Sequence, residues 1–427
     1  MEADEEFSGR LSTALDKMGY SMAQICWRRK AYKQKDLVVQ DKCPDSAVYT
    51  VGSKGEGVSK YFESDHDVLY VKKTAVCVEM TDGADDGGDS ADRNATRSIC
   101  SPGYALVHTW QGKRISSEQF LAEKSAHVRA VNMEGFDTPR QSGPAQTLSV
   151  RRFNMDVVYG YRCRCPTVVE AWAVRPRKHN WPPKYIIDEI SKMDAFIVAK
   201  GSENEALRQF EWRLCFNLAE NRLIQSLDET QTKLYVLLKI VLKDILKPSN
   251  KEITSFIIKN LIFWLFERRN CKGHCLFGLL TKALRILKKA VENNFLSYYM
   301  IPARNLMSGK MTTEQRKTMS ERLTMCLNEG HRFLNRSKKL VVYLDIDFGN
   351  LDKHGDSDFK DEVERLHIDL CIQTLALEKT EEIQTNPITR KLTEALYDRV
   401  YPGWKFCKKR EFNFKDIIME RLEQMLS

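Results

Sequence analysis

Asp65 and Asp67 stand one residue apart, immediately ahead of the apolar run Val68-Leu69-Tyr70-Val71 and shortly after Gly52-Ser53. The apolar run predicts a buried strand. Side chains at i and i+2 of a strand project from one face. The two carboxylates can therefore meet one divalent cation while the Gly-Ser turn holds a phosphate. In-line attack of a hydroxyl on a nucleoside triphosphate needs such cations, to neutralise the pyrophosphate and activate the attacking oxygen. Magnesium takes oxygen ligands and only a few carboxylates. A third carboxylate should come from a neighbouring strand. Asp156 fits, because Phe153 to Tyr159 gives it an apolar strand context in which an unpartnered carboxylate would be costly.

Other candidates carry less. Asp345-Ile346-Asp347 repeats the Asp-x-Asp spacing after an apolar run but has no Gly-Ser turn upstream, and reads as structural. Thr81 to Asp92 holds five aspartates and three glycines, a loop without the spacing or closing glutamate of a standard calcium site. The 12 cysteines form no dense framework, which suits a reducing compartment. Cys163/Cys165 and Cys271/His274/Cys275 could lend ligands to zinc, yet neither completes a tetrahedral set.

The elements that must position these residues are partly legible. Residues 7–30 have helical spacing, 48–80 read as strands around the Gly-Ser turn, and Tyr104–Val107 and Phe153–Tyr161 are strand-like. A Pro-rich stretch, 175–183, punctuates the chain. Beyond it, 185–334 is dominated by helical spacing such as Leu234, Leu237, Leu238, Val241, Leu242 and Ile245. Residues 335–427 mix the β-like LVVYLDIDF with amphipathic helical stretches. Three regions follow: 1–184, 185–334 and 335–427. No apolar run approaches the roughly 20 residues of a membrane span, and the acidic start MEADEEFSGR is unlike a secretory signal, so a cytoplasmic protein is expected.

The net charge of +9 is modest but clustered. Arg28, Arg29, Lys30, Lys33 and Lys35 form one group, Arg175, Arg177, Lys178 and Lys184 a second, and Arg268, Arg269 and Lys272 a third. Lys282, Arg285, Lys288 and Lys289 would share one helix face. Any single cluster can be a solvated helix surface; four in one chain favour a polyanion such as nucleic acid.

Gly52-Ser53-Lys54-Gly55-Glu56-Gly57, Asp65-His66-Asp67 and Asp156 together resemble the Mab-domain nucleotidyltransferases, and within them the cyclic GMP-AMP synthase-like receptors. Cys165-Pro166, Trp172, Arg175 to Pro182 and Glu211 to Glu220 are similar to that family's motifs. So are Leu238-Lys239, Ser255 to Lys259, and Tyr299 to Pro302 with Asn305-Leu306. The resemblance covers about 7–330. It implies an α+β, bilobal nucleotidyltransferase fold: a mixed-sheet catalytic lobe with an N-terminal spine helix in 1–184, and a helical C-terminal lobe in 185–334. Residues 335–427 lie outside it.

Residue by residue, the resemblance implies that Asp65, Asp67 and Asp156 hold two Mg2+ or Mn2+ ions and that Gly52 and Ser53 grip the triphosphate. Lys239 and Ser255 would contact phosphate, Phe256 would stack on a base, and Arg213 would bond a purine edge. Phe256 replaces the family's usual tyrosine, and Cys215 and Asn217 replace serines, so base choice could differ. The His-Cys-rich zinc insertion that the family's vertebrate enzyme carries is absent after Leu227, so no zinc is expected. Zinc-less relatives read double-stranded RNA by shape and phosphate. Arg28, Arg29, Lys30, Lys33, Lys35, Arg268, Arg269, Lys282 and Arg285 would meet that activator. The implied function is an innate immune sensor that makes a cyclic dinucleotide from ATP and GTP, responding to double-stranded RNA rather than DNA. The activator would order the 52–63 loop and could drive dimerisation. The alternative is a catalytically silent Mab-domain protein that binds nucleotide or partners as a scaffold.

Overall fold

The structure is a computed structural model. It describes residues 2–79, 93–109, 111–130, 136–202, 206–246, 253–271, 273–344, 357–377, 380–401 and 414–427. The chain divides into two compact units. The first comprises Ala23–Arg164, Asp194–Asn221 and Gly355–Ser427; the second comprises Met1–Met22, Cys165–Met193 and Arg222–His354.

The first unit is built on a nine-stranded mixed sheet. Its strands are β1 (Ser46–Val51), β2 (His66–Glu79), β3 (Arg93–Ser101), β4 (Tyr104–Thr109), β5 (Arg140–Ser142), β6 (Ala145–Val150), β7 (Phe153–Arg164), β8 (Ala195–Val198) and β9 (Glu211–Cys215). They run in the order β1-β2-β3-β4-β9-β8-β7-β6-β5, and β2 also pairs directly with β7. The β2–β7 ladder is parallel and matches Asp67 with Asp156, Leu69 with Val158 and Val71 with Gly160. The register shifts between Lys72 and Val76, beyond which β2 still pairs with β7 (Val76–Val78 against Arg162–Arg164) and also takes on β3, again in parallel. One face of β2 carries Leu69 and Val71 into a core with Val51, Phe196, Val198 and Val158. The other carries Tyr70 towards Val157, Leu148 and Val128. Alternation of this kind fixes the register, because a slip of one residue would exchange the two faces.

Helices complete this unit. Helix α2 (Met22–Lys42) buries the stripe Gln24, Ile25, Arg28, Ala31 and Tyr32. Ala31 and Tyr32 pack on Ile368 and Ile372 of a helix spanning Ser357–Ala376. That helix also meets Pro387–Val400 and Phe414–Met425 in a second apolar cluster around Val363, Leu396, Ile418 and Leu422.

The second unit is helical. Its members include α1 (Glu2–Leu15) and the helices Glu229–Ile240, Ser255–Arg268, Leu276–Glu292 and Thr313–Glu329. The helix Ser255–Arg268 is buried at every position from Ile257 to Glu267, as expected for a helix apolar all round. Lys233 is buried on Glu229–Ile240, where Ser12, Asp16 and Glu229 accept its three protons at 2.6–2.8 Å.

Three sequence expectations change. The helical pattern over 7–30 is two helices, interrupted at Gly19, whose φ of 88° no helix interior allows. Within 185–334, β8 and β9 are strands and join the sheet. The β-like LVVYL is helical in Lys338–Leu344, because burial of Leu340 and Leu344 at i, i+4 spacing overrides the β-branched pair. The acidic loop 81–92 and Asp345/Asp347 lie outside the described residues.

Candidate active site

Asp67 is the second residue of β2 and Asp156 lies opposite it in β7, so both carboxylates leave the same face at adjacent positions. Strands in a sheet are about 4.8 Å apart, which sets the scale of that juxtaposition. Asp65 precedes β2 by one residue and is exposed, with Asp67 and Asp156 half-buried. His66 between them turns the other way, and its ring is buried among Tyr32, Tyr61 and Phe153. The apolar face below Asp67 and Asp156 is the Leu69–Val158 core, so the acids end a buried strand pair.

Each acid has its own support. The Thr147 hydroxyl donates to Asp156 Oδ1 at 2.5 Å from the adjoining β6 register position. The Asn154 amide donates to Asp65 Oδ1 at 3.1 Å. Burial raises the Asp156 carboxyl above the ordinary carboxylate range; the Thr147 bond opposes this and the charge of Asp65 adds to it. Gly52 lies against Asp67: a Cβ there would come within 2.2 Å of Asp67 Oδ2. Its φ of 62° also suits glycine. The turn Gly52–Gly55 continues through Ser53, whose carbonyl accepts from Val58 N at 3.1 Å, into Gly57, packed on the Ile25 carbonyl of α2.

Three hard oxygen donors near one strand end, with Asp156 raised by burial and further by the charge of Asp65, are the ligand chemistry a divalent cation prefers. As folded, the carboxylates do not converge. Among the described residues no group of three His, Cys, Asp or Glu side chains is drawn together tightly enough to hold a metal ion. Lys54 of the glycine-rich turn is buried. Its ammonium donates to the carbonyls of Lys60 and, at 2.7 Å, Tyr61.

The remaining candidates divide between the units. Arg213 lies in β9 of the sheet unit, half-buried and paired in register with Tyr104 and Val198. Lys239, Ser255 and Phe256 belong to the helical unit. The Lys239 ammonium lies 5.7 Å from the Tyr235 ring centre. Ser255 opens its helix, and half-buried Phe256 packs on Tyr298 beneath Lys259. The motif residues Trp172, Arg175, Trp181 and Tyr299 are architectural in the same unit. Tyr299 donates to Glu267 at 2.7 Å, Arg175 pairs with Glu267, and the rings pack together.

The basic clusters are uneven. Arg28 is not on a nucleic-acid surface: it falls on the buried stripe of α2 and its guanidinium is fully enclosed on Glu364 at 2.6 Å. Arg29 and Lys35 are half-buried; Arg29 donates to the Glu56 carbonyl at 2.8 Å, and burial lowers Lys35 from the ordinary lysine range. Lys30 and Lys33 are exposed. In the helical unit, Arg268 and Arg269 are exposed and line a cavity of 590 Å³ with Arg175 and Lys178. Arg268 lies 4.1 Å from the centre of the Trp264 ring. Lys282 meets His274 at 2.6 Å, and Arg285 is exposed. Cys163 and Cys165 are buried, and neither is in a disulfide.

The chain combines a mixed-sheet unit with a helical unit, and within the helical unit lies a match to a Mab-21 domain. Residues 230–325 match the model of the Mab-21 protein HhH/H2TH-like domain. The chain is 27% identical over 155 residues to a curated zebrafish protein, mab-21-like 3 of Danio rerio. That match covers 35% of this chain and 40% of the relative's length. No helix among the described residues is long and apolar enough to cross a membrane.

Proposed function

We propose that the chain is a nucleic-acid-activated nucleotidyltransferase that joins ATP and GTP into a cyclic dinucleotide, acting as an innate immune sensor. The observation that carries the reading is the register pairing of Asp67 with Asp156, beside Asp65 and Gly52. Asp65, Asp67 and Asp156 would hold two Mg2+ or Mn2+ ions, which supply charge neutralisation of the triphosphate and activation of the attacking hydroxyl. Thr147 and Asn154 orient two of these carboxylates. Gly52 leaves room for a phosphate by lacking a side chain, and Ser53 offers its hydroxyl. Arg213 would read a purine edge and Phe256 would stack on a base; Lys239 and Ser255 would contact phosphate.

Double-stranded RNA is the proposed activator, with Lys30, Lys33, Arg268, Arg269 and Arg285 the exposed cations to meet it and Arg29, Lys35 and Lys282 in support. A ligand-driven dimer and a cytoplasmic setting belong to the same reading. The alternative, a silent nucleotide-binding scaffold, draws on the carboxylates' lack of convergence. The two are separated by incubating the protein with labelled ATP and GTP, Mg2+ or Mn2+, and duplex RNA or DNA, then resolving products by chromatography. A product that appears with RNA and vanishes in Asp156→Asn supports the enzyme. Absence of any Asp156-dependent product under every ligand leaves the scaffold.

A further inference from the structure

The segment between the Gly-Ser turn and the aspartate pair is held by the C-terminal helices, which the family resemblance does not reach. Tyr61 is the centre of this hold. Its N–H donates to Glu364 Oε1 at 2.9 Å. Its carbonyl accepts from Lys54 at 2.7 Å and stands 3.0 Å from His66 Nε2. Its ring meets His367 edge-on at 4.4 Å, and its hydroxyl lies 3.5 Å from Cys371 Sγ. On either side, Phe62 N donates to the Leu426 carbonyl at 3.2 Å and the Lys60 ammonium to the Ser427 carbonyl at 2.7 Å.

Glu364 is itself fixed. Its other oxygen, Oε2, accepts from Arg28 Nε at 2.9 Å, Arg28 Nη2 at 2.6 Å and Gln24 Nε2 at 3.0 Å, all from α2. A charged pair this deeply buried is tolerated only when its hydrogen-bonding capacity is used, and here the unused oxygen is spent on the loop backbone. The connection to the acids is short. Glu364 fixes Tyr61, Tyr61 engages His66, and His66 is flanked by Asp65 and Asp67.

We infer that Glu364 is a positioning residue for the carboxylate site, and that helix 357–376 together with helix 414–425 and the two residues after it form a clamp that holds the 54–66 segment in one conformation without an activator. The inference rests on the reading of Asp65, Asp67 and Asp156 as metal ligands. It differs from a site ordered only when nucleic acid binds. In this chain the segment is already tied at Lys60, Tyr61 and Phe62 by the chain's own C-terminal helices.

The test compares two full-length double variants that both remove the buried charges, so that neither leaves one uncompensated. Arg28→Met/Glu364→Gln keeps an acceptor for the Tyr61 N–H; Arg28→Met/Glu364→Leu does not. Hydrogen exchange over 60–66 and Mn2+ binding followed by electron paramagnetic resonance are measured, with wild type and Asp156→Asn as controls. The Leu variant is expected to exchange at Tyr61 and Phe62 at least about tenfold faster and to bind Mn2+ about 10–100-fold more weakly, the range seen when outer-shell support is lost. The Gln variant is expected to stay near wild type. If the Leu variant does not fold, Lys60→Met, which cuts the tie to the Ser427 carbonyl, is expected to move both readouts in the same direction. Equal exchange and equal Mn2+ affinity across the folded variants would overturn the clamp. If wild type and Asp156→Asn bind Mn2+ alike, the metal-site reading fails instead, and the exchange comparison alone decides whether the clamp holds.

Discussion

Asp67 and Asp156 are register partners in adjacent parallel strands, 89 residues apart in sequence (156 − 67) and directly side by side in the sheet. Two carboxylates brought together at the end of a buried ladder repel one another unless something positive or protic stands with them. The rest of the site supplies hydroxyl and amide donors, from Thr147 and Asn154, and an acidic neighbour in Asp65. A chance Asp-x-Asp would lack this register partner and these donors.

Gly52→Ala should abolish metal-supported activity while leaving the protein folded. The new Cβ would meet Asp67 Oδ2 at 2.2 Å, and alanine at φ 62° costs about 1–2 kcal/mol. Mn2+ binding together with a thermal unfolding curve checks this. Unchanged Mn2+ affinity would show that Asp67 has room to move aside.

Thr147→Val keeps the shape of the β6 residue and removes the proton donated to Asp156. Outer-shell partners of metal carboxylates are worth about 10–100-fold in metal affinity, so a weakening within that range is expected in a Mn2+ titration. A loss below threefold would mean that Thr147 serves the sheet and not the site.

Within the first basic cluster the contributions should separate. Lys30→Ser with Lys33→Ser should weaken RNA binding and flatten the dependence of log affinity on log salt by about 1–2. Arg28→Met should leave that slope unchanged and instead cost about 3–5 kcal/mol of stability, because it strands Glu364 in the interior. A salt titration of binding and a denaturant curve give the two answers.

Asp361, on the same helix as Glu364, is pushed up to about 6 by burial, with Arg28 pulling the other way. A carboxyl whose folded value lies above its unfolded value near 4 favours folding in its protonated form. That contribution is complete below about pH 4 and is lost as the pH rises through about 6. Asp361→Asn should therefore stabilise the protein by on the order of 1–3 kcal/mol at pH 8 and by little at pH 4. Denaturation midpoints at the two pH values provide the check.

Much of the site was legible because its signals are local. The glycines of 52–57, the alternation around Asp65 and Asp67, and the apolar flank of Asp156 are all short-range patterns. The sheet then joined two of those segments, as strand periodicity had suggested. What was hidden depends on long-range burial. Arg28 reads as one of five clustered cations, and nothing nearby shows that Glu364, far along the chain, encloses it. Nothing in the glycine-rich 52–57 motif shows that the Lys54 ammonium is capped by the carbonyls of Lys60 and Tyr61. Val341 and Val342 suggested a strand, but Leu340 and Leu344 make Lys338–Leu344 a helix. The division at Gly19 also escaped a periodicity reading, since the apolar positions on both sides fit one helical phase.

Pyrophosphate release from ATP and GTP, with Mn2+ and duplex RNA present, tests the central claim most directly when wild type is compared with Asp156→Asn. The account predicts release by wild type and a loss of more than about 100-fold in the variant, beyond the 10–100-fold effect of an outer-shell change. Equal release by both proteins, or none by either under any nucleic acid, would contradict it.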